Sequence, residues 1–309
     1  MYLTSILAVT DLSVDGDHAV ERAAQIAMAQ GGAYLNLLYA PMSSTPVCDD
    51  PANRLAEIAG ALSSQPGLRV HTLTTTATTL EHIAKEAMGA DLVVIPHRRE
   101  RTLKALLCGP PALRLTRLIR CPVLATQWAP QTRFRRILVA VDFVSSSKDL
   151  AKIGSVVHKD AQVELFHAVN PIGESRLRQA DVDPDVIMTY RQSCLHYAQV
   201  RMAALTESVG RKDTGMLTAI GRGDPAEQVV RRQELVGADL LVIGKRRSTA
   251  FEDFVLGSTA RRVLGLTKSD VLVVPHGFQV STRGAAKMRA RTVPAVGSNT
   301  LGVTREKVS

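Results

Sequence analysis

Aromatic residues are scarce in this chain of 309 residues: six Phe, five Tyr and one Trp, 4% in all. A core without them must be packed from Val, Leu, Ile and Ala. That suits parallel strands covered by helices on both faces better than an all-β sandwich. Cysteine is equally thin. Cys48, Cys108, Cys121 and Cys194 are widely scattered, with no CxxC and no Cys/His cluster. This excludes a zinc-finger spacing or a disulfide framework and fits a reducing cytoplasm. No apolar run approaches the roughly 18 residues of a membrane-spanning helix, so a membrane is not an expected partner. The N-terminus, MYLTSILAVTDLSVDGD, has no basic n-region and turns acidic at Asp11, which argues against a secretory signal.

Catalytic signatures are missing too. There is no GxxxxGK[ST] phosphate loop and no GxGxxG after either candidate first strand. No HxGH or SGGxDS segment suggests nucleotidyl transfer, and no paired His and carboxylate cluster suggests a metal hydrolase. The expectation is a protein that is not an enzyme, with no catalytic residues and no metal ligands.

Hydrophobic residues make up 45% and charged residues 22%, as in globular proteins, and the length suits two domains. The net charge of +9 is unevenly placed: residues 1–129 are neutral, 130–276 carry +4 and 277–309 carry +5. The segment 277–309, rich in Gly, Ser, Thr, Arg and Ala without periodicity, reads as a basic, disordered tail. A solvated extension is the simpler account of it, and nucleic-acid contact through it is the lesser alternative.

An internal repeat organises the rest. SILAVTD (5–11) returns as RILVAVD (136–142), and LNLLYAP (35–41) as LFHAVNP (165–171). GADLVVIPHRR (89–99) returns as GADLLVIGKRR (237–247), and CPVLAT (121–126) more loosely as SDVLVVP (269–275). Order is kept in both halves, so this is a duplicated domain: 1–129, then 130–276, with a linker near Trp128–Arg133. Strands are expected at 5–10, 33–39, 68–75, 91–96 and 122–126, then at 136–141, 162–169, 215–220, 239–244 and 270–274. The first helix is expected to be capped by Asp17 and stopped by Gly31-Gly32. Its counterpart should begin at Ser145–Ser147, with Leu150, Ile153 and Val157 on one face. A long helix over 185–209 is expected to bury Val186, Met188, Tyr190, Leu195, Tyr197, Val200 and Leu205. Strands alternating with helices predict right-handed βαβ units and a parallel sheet.

Ligands of such sheets bind beyond the carboxyl ends of the strands, where strand order reverses. In the second half that points to Asp142, after the first strand, and to GKRRSTAFEDFVLGST (244–259), after the fourth. Gly257-Ser258-Thr259 precede ARRVLGL, placing amides and hydroxyls at a helix N-terminus, where a phosphate is favoured. Asp142 is placed to accept hydrogen bonds from a ribose hydroxyl or a base amine. In the first half the matching segment is PHRRERTLKALLCGPP, with Pro96, Arg99 and Gly109-Pro110 at the corresponding places. Proline there removes an N–H and restricts φ.

These residues resemble the universal stress protein family in its tandem form, over about 2–127 and 134–276. The family's nucleotide-binding members carry Gly, two residues, Gly, nine residues, Gly, then Ser or Thr. Here Gly244, Gly257 and Ser258 match, and Arg247 stands at the second glycine. The resemblance implies two doubly wound α/β domains, Rossmann-like and of the adenine nucleotide alpha hydrolase type. Each would have a five-stranded parallel sheet, in a pseudo-two-fold pair. It implies a cytoplasmic stress-response regulator that binds ATP, with or without Mg²⁺, or a related adenine nucleotide in its second domain, any hydrolysis being slow and incidental. Asp142 would contact adenosine, Ala140, Val141 and Ala168 would line the base pocket beside Ile243, and Gly244, Gly257, Ser258 and Thr259 would hold phosphates. Lys245 and Arg247 are candidate phosphate partners. The first half is expected to have lost this function and to serve as a structural or docking partner.

The alternative is a universal stress protein with two vestigial sites that acts through protein partners not readable here. Whether two chains form a further dimer is left open. His97 and His167 are expected to be packing or hydrogen-bonding residues, Cys108 an inert thiol, and the run Arg98, Arg99, Arg101 and Lys104 a solvated helix start.

Overall fold

A computed structural model of the chain describes residues 3–41, 48–97, 109–127, 129, 133–143, 147–209, 216–244 and 258–279. The first half runs β1 (Ser5–Thr10), α1 (Val14–Ala29), β2 (Tyr34–Tyr39), α2 (Pro51–Ser63), β3 (Arg69–Thr72) and α3 (Leu80–Glu86). It continues through a 3₁₀ turn (Ala87–Gly89), β4 (Leu92–Pro96), α4 (Pro111–Leu115) and β5 (Val123–Thr126). The second half runs β6 (Arg136–Ala140), α5 (Ser147–Val157), β7 (Gln162–Val169), α6 (Ile172–Gln179), α7 (Pro184–Val209) and β8 (Leu217–Arg222). It ends with α8 (Pro225–Val236), β9 (Leu240–Gly244), α9 (Ser258–Leu266) and β10 (Asp270–Val274).

The strands form one ten-stranded sheet, β3-β2-β1-β4-β5-β10-β9-β6-β7-β8. Each half therefore has the same doubly wound order, all parallel, and the halves meet through a single antiparallel pair, β5 with β10, where Leu124 faces Leu272. The strands read as continuous apolar runs because both faces are covered; all six residues of β1 are buried. Two apolar layers result. One contains Ile6, Leu37, Val139 and Leu165, the other Leu7, Val93, Leu241 and Val271, and each crosses from one half to the other.

The repeated Gly-Ala-Asp has a structural cause. Asp91 accepts hydrogen bonds from the Thr4 amide at 2.7 Å and the Ser5 amide at 3.1 Å, and Asp239 from the Arg135 amide at 2.7 Å and the Arg136 amide at 3.2 Å. Each carboxylate thus satisfies amides at the entrance of its half's first strand, at the end of the sheet opposite the candidate site. The seam between halves carries one buried ion pair. Arg22 on α1 donates to Asp270 at 2.9 Å, and its guanidinium lies 4.3 Å from the centre of the Phe134 ring. The other oxygen of Asp270 accepts the Gln127 amide at 2.9 Å. Burial pushes the Asp270 carboxyl up from its usual range, opposed by Arg22. Gln30 adds a second polar link, donating to the Val156 carbonyl at 2.8 Å.

Two expectations are corrected. The cap of α1 is Ser13, not Asp17; its hydroxyl oxygen accepts the Gly16 amide, so the helix starts nearer the strand and Asp17 falls inside the first turn. In α7, Val186, Met188, Tyr190, Leu195, Tyr197 and Val200 are exposed, and Leu205 is half-buried. Only Ile187, Ala198 and Met202 are buried. This helix lies over β7 and the edge strand β8, and so narrow a support buries a single line of side chains.

Candidate functional site

Strand order reverses between β1 and β4 in the first half and between β6 and β9 in the second. Asp11 and Asp142 follow β1 and β6, so each sits where a doubly wound sheet presents its ligand crevice. The residue after each aspartate has a positive φ: Leu12 at 61° and Phe143 at 61°. A left-handed conformation is costly for side chains of this size, and its recurrence marks a turn that both halves preserve.

The aspartates themselves differ. Asp142 is exposed, and one of its oxygens accepts a hydrogen bond from the Ser147 hydroxyl at 3.4 Å. Asp11 is 2% exposed, and its Oδ1 accepts from the Ser13 amide at 3.2 Å and the Ser13 hydroxyl at 2.5 Å. Gly16 in α1 is the reason. A β-carbon there would lie 2.5 Å from Thr10 Oγ1 and 2.8 Å from Asp11 Oδ1, so only glycine lets the helix turn press onto the end of β1. The residue at the matching place in α5 is Ser147, whose hydroxyl donates to Asp142.

Around Asp142 the structure brings together several expected residues. Ala140 pairs in register with Phe166 and Ile243, Val141 is buried, and the Val141 amide donates to the Phe166 carbonyl at 2.9 Å. Ala140, Ala168 and Ile243 share one face of the sheet, which also receives α9. Ser258 and Thr259 open α9, placing them in a first helical turn. Gly244 ends β9, but its φ is unexceptional; a β-carbon there would lie 3.0 Å from Leu150 Cδ1. Lys245, Arg247 and Gly257 lie outside the described residues, as do Cys108 and the basic run 98–104.

His167 lies on the opposite face. Its Nδ1 is 2.8 Å from the Val141 carbonyl oxygen, and its ring centre is 4.1 Å from that of Phe143. Burial holds its pKa below the usual histidine value, opposed by the bond to Val141. Arg201 on α7 donates to the Phe143 carbonyl at 2.7 Å. His167 thus braces the Asp142 turn from behind, a role its neighbours in sequence do not signal. In the first half, Pro96 ends β4 and the His97 amide donates to the Thr126 carbonyl at 2.8 Å. Burial pushes the Cys121 thiol up to about 12, which removes it as a nucleophile at neutral pH.

A cluster not foreseen from the sequence sits beyond β7 and β8. Glu174 on α6, nearly buried, pairs with Arg178 at 2.9 Å, with Arg191 of α7 at 2.5 Å, and with Arg222 at the end of β8. These guanidiniums hold its carboxyl down at about 2.

Comparison with known proteins bears on the whole arrangement. A family model described as the Universal stress protein family matches residues 3–127 and again 133–275. Universal stress protein E of Escherichia coli K12 is 25% identical over 205 residues, which cover 62% of this chain and 63% of the relative, so less than two thirds of its length is matched. A universal stress protein from Archaeoglobus fulgidus superposes with a TM-score of 0.63 at 17% identity, over 88% of this chain and 96% of that one. A putative universal stress protein from Pseudomonas aeruginosa UCBPP-PA14 does so with a TM-score of 0.59 at 24% identity, over 88% and 93%.

Proposed function

The chain belongs to the universal stress protein family, with the family's fold twice in tandem, and on that premise we propose that its second half binds ATP or a related adenine nucleotide. The domains are taken as 1–129 and 130–276, followed by a basic tail. The observation that carries the reading is the exposed Asp142 carboxylate at the strand-order reversal of a half whose Ala140 and Ala168 are small enough to leave room for a base. Asp142 accepts from the ribose hydroxyls or the base amine, while the first turn of α9, with Ser258 and Thr259, receives phosphate oxygens through its unpaired amides. Gly257, Lys245 and Arg247 are assigned to the phosphates from the sequence pattern, and any Mg²⁺ arrives with them. The sealed Asp11 makes the first half a structural partner. The protein acts in this reading as a cytoplasmic regulator rather than an enzyme; Cys48, Cys121 and Cys194 are free, as a reducing compartment favours. Among the described residues no helix is long and apolar enough to cross a membrane.

Calorimetric titration of the full chain with ATP and Mg²⁺ tests this. Binding that weakens in Asp142→Ala and is lost in Gly257→Glu is the expected result; no heat at millimolar ATP overturns it. One observation favours a second reading, a protein that acts only by docking partners. Leu150 already accounts for the glycine at 244 by packing against it. That reading predicts a stress phenotype unaffected by Asp142→Ala.

A further inference from the structure

The second half has an α6–α7 excursion where the first half has only α2, and α7 borders an open groove of about 320 Å³ against the end of β7. Its walls include His167, Asn170, Tyr190, Ser193, Cys194 and Tyr197. His167 and Val169 alternate with Ala168 along β7, so the cavity lies on the sheet face opposite the base pocket assigned above. Aromatic side chains are few in this protein, and two of its five tyrosines line this one space. Tyr190 is held in place by α6, where it lies so close over Gly173 that a β-carbon there would sit 2.2 Å from its hydroxyl oxygen.

Two arginines adjoin this wall. Arg222 is the register partner of Val169, which also lines the cavity, and parallel partners share a face. Arg191 follows Tyr190 in α7 but lines a separate groove with Arg178, Ile187 and Met188. Both guanidiniums belong to the Glu174 cluster, in which one carboxylate faces three arginines and leaves an excess of two positive charges. Arg222 and Arg191 remain 46% and 43% exposed, so they keep N–H donors for a further acceptor. On the other side Arg201 lies 5.9 Å over the Tyr197 ring. Glu174 thus acts as a fixed anchor that orients a surplus of guanidinium groups, an arrangement suited to a carboxylate or a phosphate.

We propose that this cavity binds a small aromatic anion, its ring against Tyr190 and Tyr197 and its carboxylate or phosphate toward Arg222. The site is independent of the adenine nucleotide, which lies across the sheet. Saturation-transfer NMR on the full chain with phenyl phosphate, benzoate and neutral benzamide tests it. Signal from at least one of the two anions and none from benzamide is expected, and the tighter anion identifies the head group. Arg222→Gln should weaken binding about tenfold. Ser193→Trp, a change at an exposed position that fills the space, should abolish binding while the melting temperature holds. Arg176→Gln, outside the cluster, should leave it unchanged, and saturating ATP should leave the signal intact. Equal binding of benzamide, retention in Ser193→Trp, displacement by ATP, or no signal from any probe at millimolar concentration overturns the proposal. Because ATP binding is read separately, its failure leaves this result interpretable.

Discussion

The same turn occurs twice in this molecule, and it is closed in one half and open in the other. Asp11 and Asp142 each end the first strand of a half, and each is followed by a residue with φ of 61°. The helix after Asp11 carries Gly16 and settles onto the carboxylate; the helix after Asp142 carries Ser147 at the same place, and Asp142 is exposed. A duplicated backbone can therefore keep its architecture while the exposure of the strand-end carboxylate differs between its halves. The seam shows a similar asymmetry: Arg22 pairs with Asp270 across it, while Ile153, at the place in α5 that corresponds to Arg22, is an apolar core residue.

The largest effect should come from the seam. Arg22→Met leaves Asp270 buried and uncompensated, and should lower stability by about 3–5 kcal/mol in denaturant unfolding. Replacing both, Arg22→Met with Asp270→Leu, should recover most of that loss, since two matched apolar residues remove the desolvation penalty altogether. A double variant no better than the single one would mean that the bond from the Gln127 amide to Asp270, rather than the ion pair, holds the halves together.

Next comes the closed turn. Gly16→Ala must push Thr10 and Asp11 aside and should cost about 1–3 kcal/mol. At the matching position of the open turn, Ser147→Ala removes only one long hydrogen bond and should cost less. Equal costs at the two positions would erase the structural contrast drawn between the halves.

The aspartates themselves separate stability from binding. Asp11→Ala leaves the Ser13 amide and hydroxyl without their acceptor and should cost about 1–3 kcal/mol with no change in ATP affinity. Asp142→Ala should leave the melting temperature nearly unchanged and weaken ATP about tenfold or more, as loss of hydrogen bonds to a charged group does. Paired calorimetry and thermal melts on both variants read the split.

The smallest effect is in pH. The folded pKa of His167 is depressed, so the unfolded chain binds its proton more readily. Its contribution to stability is then fully present above the ordinary histidine value of about 6.5 and is lost as pH falls through that value toward the folded one. Glu174 behaves in the usual carboxylate way: its contribution is present above 4.5 and lost as pH falls toward about 2. Urea unfolding from pH 7 to pH 5 should show the first loss, and His167→Gln should flatten it.

Much of the architecture was legible because buried parallel strands are written as short apolar runs. The runs at 5–10, 162–169 and 270–274 appear as strands with those bounds, and the others differ by a few residues at their ends, where the observed pairing determines the limit. The 136–142 and 237–247 repeats located the candidate crevice. The cap of α1 was misread because Asp17 and Ser13 are both good caps, and only the proximity of the helix to β1 chooses between them. The apolar residues of α7 were expected inside because hydrophobicity says what prefers burial but not how much surface is there to bury it. The arginine cluster was invisible, since Glu174, Arg191 and Arg222 are far apart in the chain and each looks like an ordinary surface residue.

The sequence by itself determined the duplication, the alternation of strands and helices and the family. These rest on local periodicity and on motifs read along the chain. Tertiary structure alone decided that the two five-stranded sheets fuse through β5 and β10, that Asp11 is sealed and Asp142 open, and that three arginines converge on Glu174. Each of those outcomes depends on distances between residues remote in sequence, and burial, ion pairing and the room for a β-carbon are set by such distances and not by residue type.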